Sequence, residues 1–244
     1  MKCFNAYESN DVRKVLGETM RPGGFSLTDA AANFFQLSED HDVLDLGCGM
    51  GATIGYLYES RNIKAVGIDP SETLLDLAKK EHINADFVVG TGENIPFEPG
   101  KFDAVFAECT LSLMDDLDRT LEEVRRVLNQ SGWFVITDVY ARNHASLADL
   151  EKMSVNSCMR GLHDLDLLKQ KLEGLGFKIL HLEDCSQLLK ELFVKIVFSY
   201  GSMDVFWNLS ADDCTDGCKF QEMLKRCKPG YFLMIAKKGE FNHG

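Results

Sequence analysis

A cluster of glycines near residue 50 is the feature of this chain whose chemistry is easiest to identify. Asp45-Leu46-Gly47-Cys48-Gly49-Met50-Gly51 overlaps the end of a short apolar segment and precedes a helical pattern. Glycines at such a junction let the backbone turn sharply and approach a ligand closely, and the helix N-terminus behind them offers free N–H groups. The segment is therefore predicted to bind the polar part of a cofactor.

An acidic residue follows this loop at the distance that nucleoside recognition requires. Asp69 comes 18 residues after Gly51, at the end of the next predicted strand. In dinucleotide-binding folds a carboxylate about 20 residues beyond the glycines holds a ribose hydroxyl. Asp69 is thus predicted to accept hydrogen bonds from the ribose of an adenosine ligand. Gly47, Gly49 and Ala52 also satisfy the G-x-G-x-x-A pattern of nicotinamide and flavin sites, so the loop alone leaves the cofactor open.

Strand and helix patterns alternate along the chain from residue 42. Short apolar segments separated by helical patterns indicate βαβ units, a parallel sheet and helices on both of its faces. The predicted strands are 43–46, 64–68, 86–89, 102–107, 133–139, 177–182 and 231–236. The predicted helices are 52–59, 71–81, one that starts at Asp116 or Asp118 and ends near 128, and 164–175. The fold class is therefore predicted to be α/β, Rossmann-like and doubly wound.

Two segments depart from this alternation. Residues 1–40 are predicted to form an N-terminal helical segment, with helices over 10–20 and 28–37 around the turn Arg21-Pro22-Gly23-Gly24. The remaining domain, 41–244, is predicted to contain a helical insertion at 184–228 with Ser186 and Ser210 as caps. The insertion is expected to cover the carboxyl ends of the strands, where open α/β sheets bind ligands. Its aromatic side chains are expected to pack the insertion itself.

The acidic charge balance disfavours some classes of binding partner. The chain has 26 Lys and Arg against 38 Asp and Glu, a net charge of −12, and no basic stripe, which disfavours nucleic acid. No apolar segment reaches the roughly 18–20 residues of a membrane span, and the N-terminus lacks the apolar core of a signal peptide. Without a signal peptide, the eight cysteines are expected to be reduced thiols in a cytoplasmic protein. Because they contain no C-x-x-C pair, we expect no metal site.

Four motifs then occur in a fixed order: VLDLGCGMG from Val43, VGIDPS from Val66, GENIPF from Gly92, and FDAVFAECTLSLMDD from Phe102. Together they resemble class I S-adenosylmethionine-dependent methyltransferases, of the small-molecule branch that includes quinone-biosynthesis and arsenite methyltransferases. The resemblance covers residues 40–140 well. It implies a mostly parallel seven-stranded sheet with an antiparallel last strand, S-adenosyl-L-methionine as cofactor, and methyl transfer to a small molecule by direct displacement.

The resemblance also implies where the cofactor binds. The implied residues are Asp45, Gly47, Cys48 and Gly49 at the methionine end, Asp69 at the ribose, Pro70, Thr91, Gly92 and Glu93 around the adenine, and Glu108 beside the cofactor. Many relatives have Asp in place of Thr91, and that Asp accepts a hydrogen bond from the adenine amino group. A neutral hydroxyl accepts more weakly than a carboxylate, and Glu93 is the alternative acceptor.

The sequence says less about the identity of the methyl acceptor than about the cofactor. Cys109 and Cys158 occupy positions where arsenite methyltransferases have cysteines, and soft thiolates favour trivalent arsenic. A third thiol would have to come from Cys48, Cys185, Cys214, Cys218 or Cys227. The alternative is that the two cysteines are small buried side chains. The other candidates near the acceptor are Tyr7, Tyr140, His144 and His163.

Two hypotheses of another class remain. A nicotinamide-dependent oxidoreductase would use a similar sheet, but the chain lacks a recognisable Tyr-x-x-x-Lys, since Tyr140 is followed four positions later by His144. A non-catalytic protein that binds the same cofactor would have the same glycine loop. The sequence leaves the oligomeric state open.

Overall fold

One seven-stranded sheet organises the part of the chain that the computed structural model describes, which comprises residues 17, 19, 21–153, 155, 157–210 and 217–239. The strands are β1 Val43–Leu46, β2 Ala65–Asp69, β3 Asp86–Val89, β4 Phe102–Glu108, β5 Leu128–Ala141, β6 Phe177–Asp184 and β7 Pro229–Lys238. The helices are α1 Ser26–Phe34, α2 Ala52–Arg61, α3 Glu72–Glu81, α4 Leu117–Val127, α5 Leu147–Leu150, α6 Leu165–Gly174, α7 Ser186–Tyr200, α8 Met203–Ser210 and α9 Gly217–Cys227.

The strand order is β3-β2-β1-β4-β5-β7-β6. Strands β1 to β5 pair in parallel, whereas β7 runs antiparallel to both β5 and β6. This confirms the predicted α/β class with an antiparallel last strand. Because the order reverses between β1 and β4, the loops after these two strands diverge and leave a crevice at their carboxyl ends.

Two apolar layers cover the two faces of the sheet. One layer contains Ala31 of α1, Leu57 of α2 and Trp207 of α8, all at most 1% exposed. The other contains Leu121 of α4 and Leu172 of α6, which are fully buried. The central strands β1 and β4 are thus buried on both sides, as strands of parallel sheets generally are, whereas the edge strands β3 and β6 are partly exposed.

The capping residues of three helices agree with the sequence. The side chains of Ser71, Asp116 and Asp164 accept backbone N–H groups at the starts of α3, α4 and α6. Strand β5 begins at Leu128, five residues before the predicted strand 133–139, because α4 passes directly into it. Leu128 pairs with Phe102, and its carbonyl accepts a hydrogen bond from Lys238 Nζ at 2.5 Å.

The helical prediction for 184–228 is confirmed for its described part, but both predicted caps are wrong. Ser186 is the first residue of α7, and its hydroxyl accepts from Tyr231 N at 3.0 Å and donates to Asp184. Ser210 ends α8 instead of starting a helix. As expected, Trp207 packs edge-to-face against Phe206 and Phe220, whereas Phe198 is 86% exposed and does not pack into the insertion.

The N-terminal segment is described only in its second half. There α1 begins two residues earlier and ends three residues earlier than the predicted helix 28–37. The predicted helix 10–20 falls almost wholly outside the described residues. No helix in the described part of the chain is long and apolar enough to cross a bilayer.

Candidate functional site

A cavity of about 390 Å³ opens at the carboxyl ends of β1, β2 and β4. Its size falls within the range of small-molecule sites. The loops after β1, β2, β3 and β4 line it, together with Arg21 before α1 and Arg160 in the 3-10 turn Cys158–Gly161. All ten residues that the sequence assigns to a cofactor line this one cavity, and so does Cys109, whereas Cys158 is not among the lining residues.

The glycine loop is folded tightly between β1 and α2. The N–H groups of Gly47 and Cys48 both donate to the carbonyl of Ile68, at 2.8 and 3.0 Å. Gly47 has a φ of +72°, and a Cβ built on it would lie 2.0 Å from Thr110 Oγ1. Glycine is therefore required there twice, by backbone conformation and by space. Helix α2 starts after this loop without a side-chain cap.

Asp69 anchors the loop from the neighbouring strand. Its Oδ2 accepts a hydrogen bond from Gly49 N at 2.9 Å, and its Oδ1 accepts one from Ser71 N at 2.8 Å. Each carboxylate oxygen has a second lone pair, so Asp69 can accept further hydrogen bonds while it holds the loop. Its position at the end of β2 is the one expected of a ribose-binding carboxylate.

Asp45 is a buried carboxyl group that lines the same cavity. Burial, together with the nearby charges of Glu108 and Asp69, raises its pKa to about 8, although Arg21 acts in the opposite direction. A carboxyl group with this pKa is mostly protonated at neutral pH. A cationic group placed against it would favour its ionised form.

Glu108, at the end of β4, belongs to a closed ring of buried side chains. Arg21 Nη2 lies 2.9 Å from Glu108 Oε2. Arg21 also donates to the hydroxyls of Thr53 and Thr28, at 3.0 and 2.7 Å. Both hydroxyls in turn donate to Glu108, each at 2.8 Å. The ring fastens the residues before α1 to the edge of the cavity. The sequence indicates a site role for Glu108 but not for Arg21, Thr28 or Thr53.

Thr91 and Glu93 interact with each other. Burial opposes ionisation of Glu93, but backbone N–H groups, including its own and those of Asp116 and Asp115, and the Thr91 hydroxyl together lower its pKa. The Glu93 carboxylate accepts from Asp115 N at 3.0 Å and from Asp116 N at 3.3 Å. Since the Thr91 proton points to Glu93, the lone pairs of the Thr91 oxygen stay available to a donor in the cavity.

Cys109 contacts Cys158 beside the cavity. A hydrogen bond with the Cys158 thiol, burial and the nearby Asp138 raise the pKa of the Cys109 thiol, although Tyr231 acts in the opposite direction. Cys109 Sγ lies 3.3 Å from Tyr231 Oη, which donates to Thr137 at 3.0 Å. Cys109 adopts a φ of +57°. The two thiols that the sequence paired thus lie together, with Cys109 in its protonated form.

A third thiol does not join this pair in the described part of the chain. No group of three or more His, Cys, Asp or Glu side chains there is arranged to hold a metal ion. Burial, Asp45 and Asp69 raise the pKa of Cys48, so this thiol is also protonated. Cys214 lies outside the described residues. The described geometry therefore provides a pair of thiols and not the three-thiol site.

The other candidates for acceptor contact are not among the lining residues of the cavity. Tyr140 donates to Asp184 at 3.2 Å, and His144 Nδ1 lies 3.1 Å from Asp164. His163 is buried, with Nε2 3.3 Å from Asp138 Oδ2. Tyr7 lies outside the described residues.

Comparison with known protein families identifies residues 44–136 as a match to a methyltransferase domain. Methyltransferase GfsG of Streptomyces halstedii is 25% identical over 179 residues, which is 70% of this chain and 64% of that protein. Demethylmenaquinone methyltransferase of Thermotoga maritima is 33% identical over 102 residues, which is 41% of this chain and 44% of that protein. The chain therefore spans less than two thirds of the length of these relatives.

Solved structures show the same fold. Phosphoethanolamine N-methyltransferase 2 of Haemonchus contortus, in complex with S-adenosyl-L-methionine, has a TM-score of 0.73 at 18% identity, and the match covers 94% of this chain and 56% of that one. The [4+2]-cyclase SpnF has a TM-score of 0.71 at 22% identity, and the match covers 94% and 93% of the two chains. At these identities the likeness concerns the fold alone, which supports more than one chemistry.

Proposed function

We propose that this chain, whose residues 44–136 form a methyltransferase domain of the class I S-adenosylmethionine-dependent family, transfers the methyl group of S-adenosylmethionine to a small molecule by direct displacement. One observation carries the proposal: every residue that the family motifs assign to the cofactor lines a single cavity of suitable size. The matching family is a methyltransferase family, which favours this hypothesis over the nicotinamide-dependent oxidoreductase.

Two acidic side chains, together with the pair Thr91 and Glu93, fit the polar groups of the cofactor. A cation placed beside Asp45 would favour the ionised form of its carboxyl group, and the methionine ammonium is such a cation. Asp69 retains lone pairs for the ribose hydroxyls while it holds Gly49 and Ser71. Near the adenine, the Thr91 oxygen is one acceptor for the amino group, because its own proton is directed to Glu93. The Glu93 carboxylate is the alternative acceptor, since the N–H groups of Asp115 and Asp116 both bond to the same one of its oxygens.

The cofactor brings an activated methyl group on its sulfonium, so the protein has little chemistry to supply. Alignment of acceptor, methyl carbon and sulfur can lower the activation free energy of the transfer by roughly 7–11 kcal/mol. The ring of Arg21, Thr28, Thr53 and Glu108 contributes by fixing one wall of the cavity. A general base is needed only for an acceptor that keeps its proton at neutral pH.

A second candidate, methylation of arsenite or another thiophilic element, rests on the contact between Cys109 and Cys158. The pair supplies two soft ligands beside the cavity. If arsenite is the acceptor, Cys109→Ser and Cys158→Ser should each abolish arsenite-dependent release of S-adenosylhomocysteine. Cys218→Ser, a change at an exposed thiol, serves as the control. Equal turnover in all three variants would exclude this candidate.

Calorimetry with S-adenosylmethionine and with NADH tests the main proposal directly. Wild-type protein should bind S-adenosylmethionine, and Asp69→Ala should weaken that binding at least tenfold. Asp76→Ala, a change at an exposed carboxylate on α3, should leave it unchanged. Binding of NADH alone would refute the proposal. Binding of S-adenosylmethionine without turnover of any acceptor would instead support a non-catalytic cofactor-binding protein.

A further inference from the structure

Arg160 lines the cavity with its charge uncompensated. It is half-buried in the 3-10 turn Cys158–Gly161, and its guanidinium has no hydrogen bond or ion pair with any other residue the structure describes. The other described arginine that lines the cavity, Arg21, is neutralised by Glu108 at 2.9 Å. Arg160 is therefore the cation in the described lining that can pair with a ligand.

The turn that carries Arg160 is held in place from two sides. A Cβ on Gly161 would lie 2.0 Å from the carbonyl oxygen of Ser112, so this turn packs directly against the 3-10 turn Leu111–Leu113. Asp138 of β5 accepts hydrogen bonds from Ser112 N and Oγ, at 2.9 and 2.7 Å. His163, two residues after Gly161, places Nε2 3.3 Å from the same carboxylate. One buried carboxylate thus ties both turns to the sheet.

This position lies next to the methionine end of the cavity. Thr110, which fills the space beside Gly47, immediately precedes the turn Leu111–Leu113. Leu113 and Met114 add apolar surface to the cavity on this side. The surface around Arg160 thus combines one fixed guanidinium with an apolar wall, close to where the proposed methyl transfer takes place.

We propose that Arg160 binds an oxyanion, a carboxylate or a phosphate, carried by the methyl acceptor, so that the acceptor is a small acid. This inference rests on the proposed function. The planar guanidinium offers paired N–H donors that match both groups. The α-carboxylate of the cofactor has the same chemistry. It already has N–H donors at the uncapped start of α2, on the glycine-loop side of the cavity.

The first experiment distinguishes these two sources of the oxyanion. Calorimetry compares binding of S-adenosylhomocysteine and of its decarboxylated analogue to wild type, Arg160→Met and Arg160→Lys. If Arg160 binds the acceptor, both ligands should keep their affinity within about twofold in every variant. A loss in Arg160→Met that is confined to S-adenosylhomocysteine would overturn the proposal, because Arg160 would then bind the cofactor carboxylate.

The second experiment uses inorganic phosphate and acetate as probes on the complex with saturating S-adenosylhomocysteine, at constant ionic strength. At least one of them should raise the thermal midpoint of the wild-type complex. Arg160→Met should weaken that anion's apparent affinity at least tenfold, and Arg160→Lys should weaken it less. Arg226→Met, which removes an exposed arginine of α9, should behave as wild type. Equal responses in wild type and Arg160→Met, or no response in wild type, would overturn the proposal.

A failure of the proposed function would look different in these experiments. If the cofactor assignment fails, wild-type protein binds neither S-adenosylmethionine nor S-adenosylhomocysteine, and this is visible before any anion is added. If the protein binds the cofactor without catalysis, the separate turnover assay shows it, because no acceptor is then methylated. With the cofactor bound, the anion titration tests Arg160 alone. The titration works with simple anions, whatever the identity of the acceptor.

Discussion

Arg21 Nη2 and Glu108 Oε2 lie 2.9 Å apart, and their side chains are only 6% and 2% exposed. This ion pair joins the residues before α1 to the end of β4, on the wall of the cavity. Two threonine hydroxyls complete it, so both oxygens of the carboxylate are occupied. The pair therefore acts both on the stability of the fold and on the shape of the site.

Removal of one partner of this pair should be costly. Glu108→Ala leaves the Arg21 guanidinium buried without its counter-charge, and such changes destabilise proteins by about 3–5 kcal/mol. Denaturant unfolding should show this loss, and calorimetry should show weaker S-adenosylmethionine binding. The double variant Arg21→Met with Glu108→Ala should recover part of the stability. Additive losses in the double variant would contradict the coupling.

The raised pKa of Asp45 predicts a pH dependence of stability. Its carboxyl ionises near pH 4 when unfolded but only near pH 8 in the fold. The unfolded chain therefore binds fewer protons between these values, and this group lowers the free energy of unfolding as pH rises from about 4 to about 8. Asp45→Asn should remove that slope. Urea unfolding of both proteins at pH 5 and pH 8 measures it, and parallel curves would count against the assignment.

The same group predicts how cofactor affinity varies with pH. A ligand cation binds better to ionised Asp45, so binding below pH 8 should release a proton. Affinity for S-adenosylmethionine should rise up to about pH 8 and then level off. Calorimetry in buffers of different ionisation enthalpy detects the released proton. An affinity that is flat from pH 6 to 8 would exclude Asp45 as the cation's partner.

Gly47 should tolerate no side chain. Gly47 and Gly100 have nearly equal φ values, +72° and +73°, but a Cβ on Gly100 meets nothing within 4 Å whereas one on Gly47 would meet Thr110 at 2.0 Å. Gly100→Ala should lower the free energy of unfolding only by the cost of placing alanine in a left-handed backbone conformation, roughly 1–2 kcal/mol. Gly47→Ala should lose more and should also lose S-adenosylmethionine binding. Equal losses of stability in the two variants would mean that the contact with Thr110 is unimportant.

The cysteines should differ in reactivity. The raised pKa values of Cys48 and Cys109 keep these buried thiols protonated at pH 8, and the thiolate is the form that reacts. Iodoacetamide should therefore modify the exposed Cys218 before Cys48 and Cys109. Mass spectrometry of digested protein gives the order of labelling. Modification of Cys109 as fast as Cys218 would contradict the protonated state and would strengthen the thiophilic-element hypothesis.

Local signals explain how much of this structure the sequence could predict. The glycine loop, Asp69 and the strand limits depend on near neighbours, and the strands appear within a few residues of the predicted positions. The ring around Glu108 is different, because Thr28 and Glu108 are 80 residues apart. In the sequence Arg21 is part of a turn signal, and no neighbouring residue indicates that it pairs with Glu108.

Thr91 shows a second limit of the sequence. The substitution of Thr for the usual Asp was visible, but the direction of its hydroxyl proton depends on Glu93. Glu93 is in turn oriented by the N–H groups of Asp115 and Asp116, which belong to the loop after β4. Arg160 was overlooked for a similar reason, since only the packing of Gly161 on Ser112 brings its turn to the cavity.

The place of β7 in the sheet has a consequence for the order in which the chain can assemble during synthesis. β6 is an edge strand, and β7 is the strand with which it pairs. Because β7 inserts between β5 and β6, the ribosome must release residues 229–238 before β6 can join the sheet. Strands β1 to β5, which carry the loops of the cavity, can pair without waiting for it. The half of the sheet that carries the cavity can therefore form while the rest of the protein is still being made.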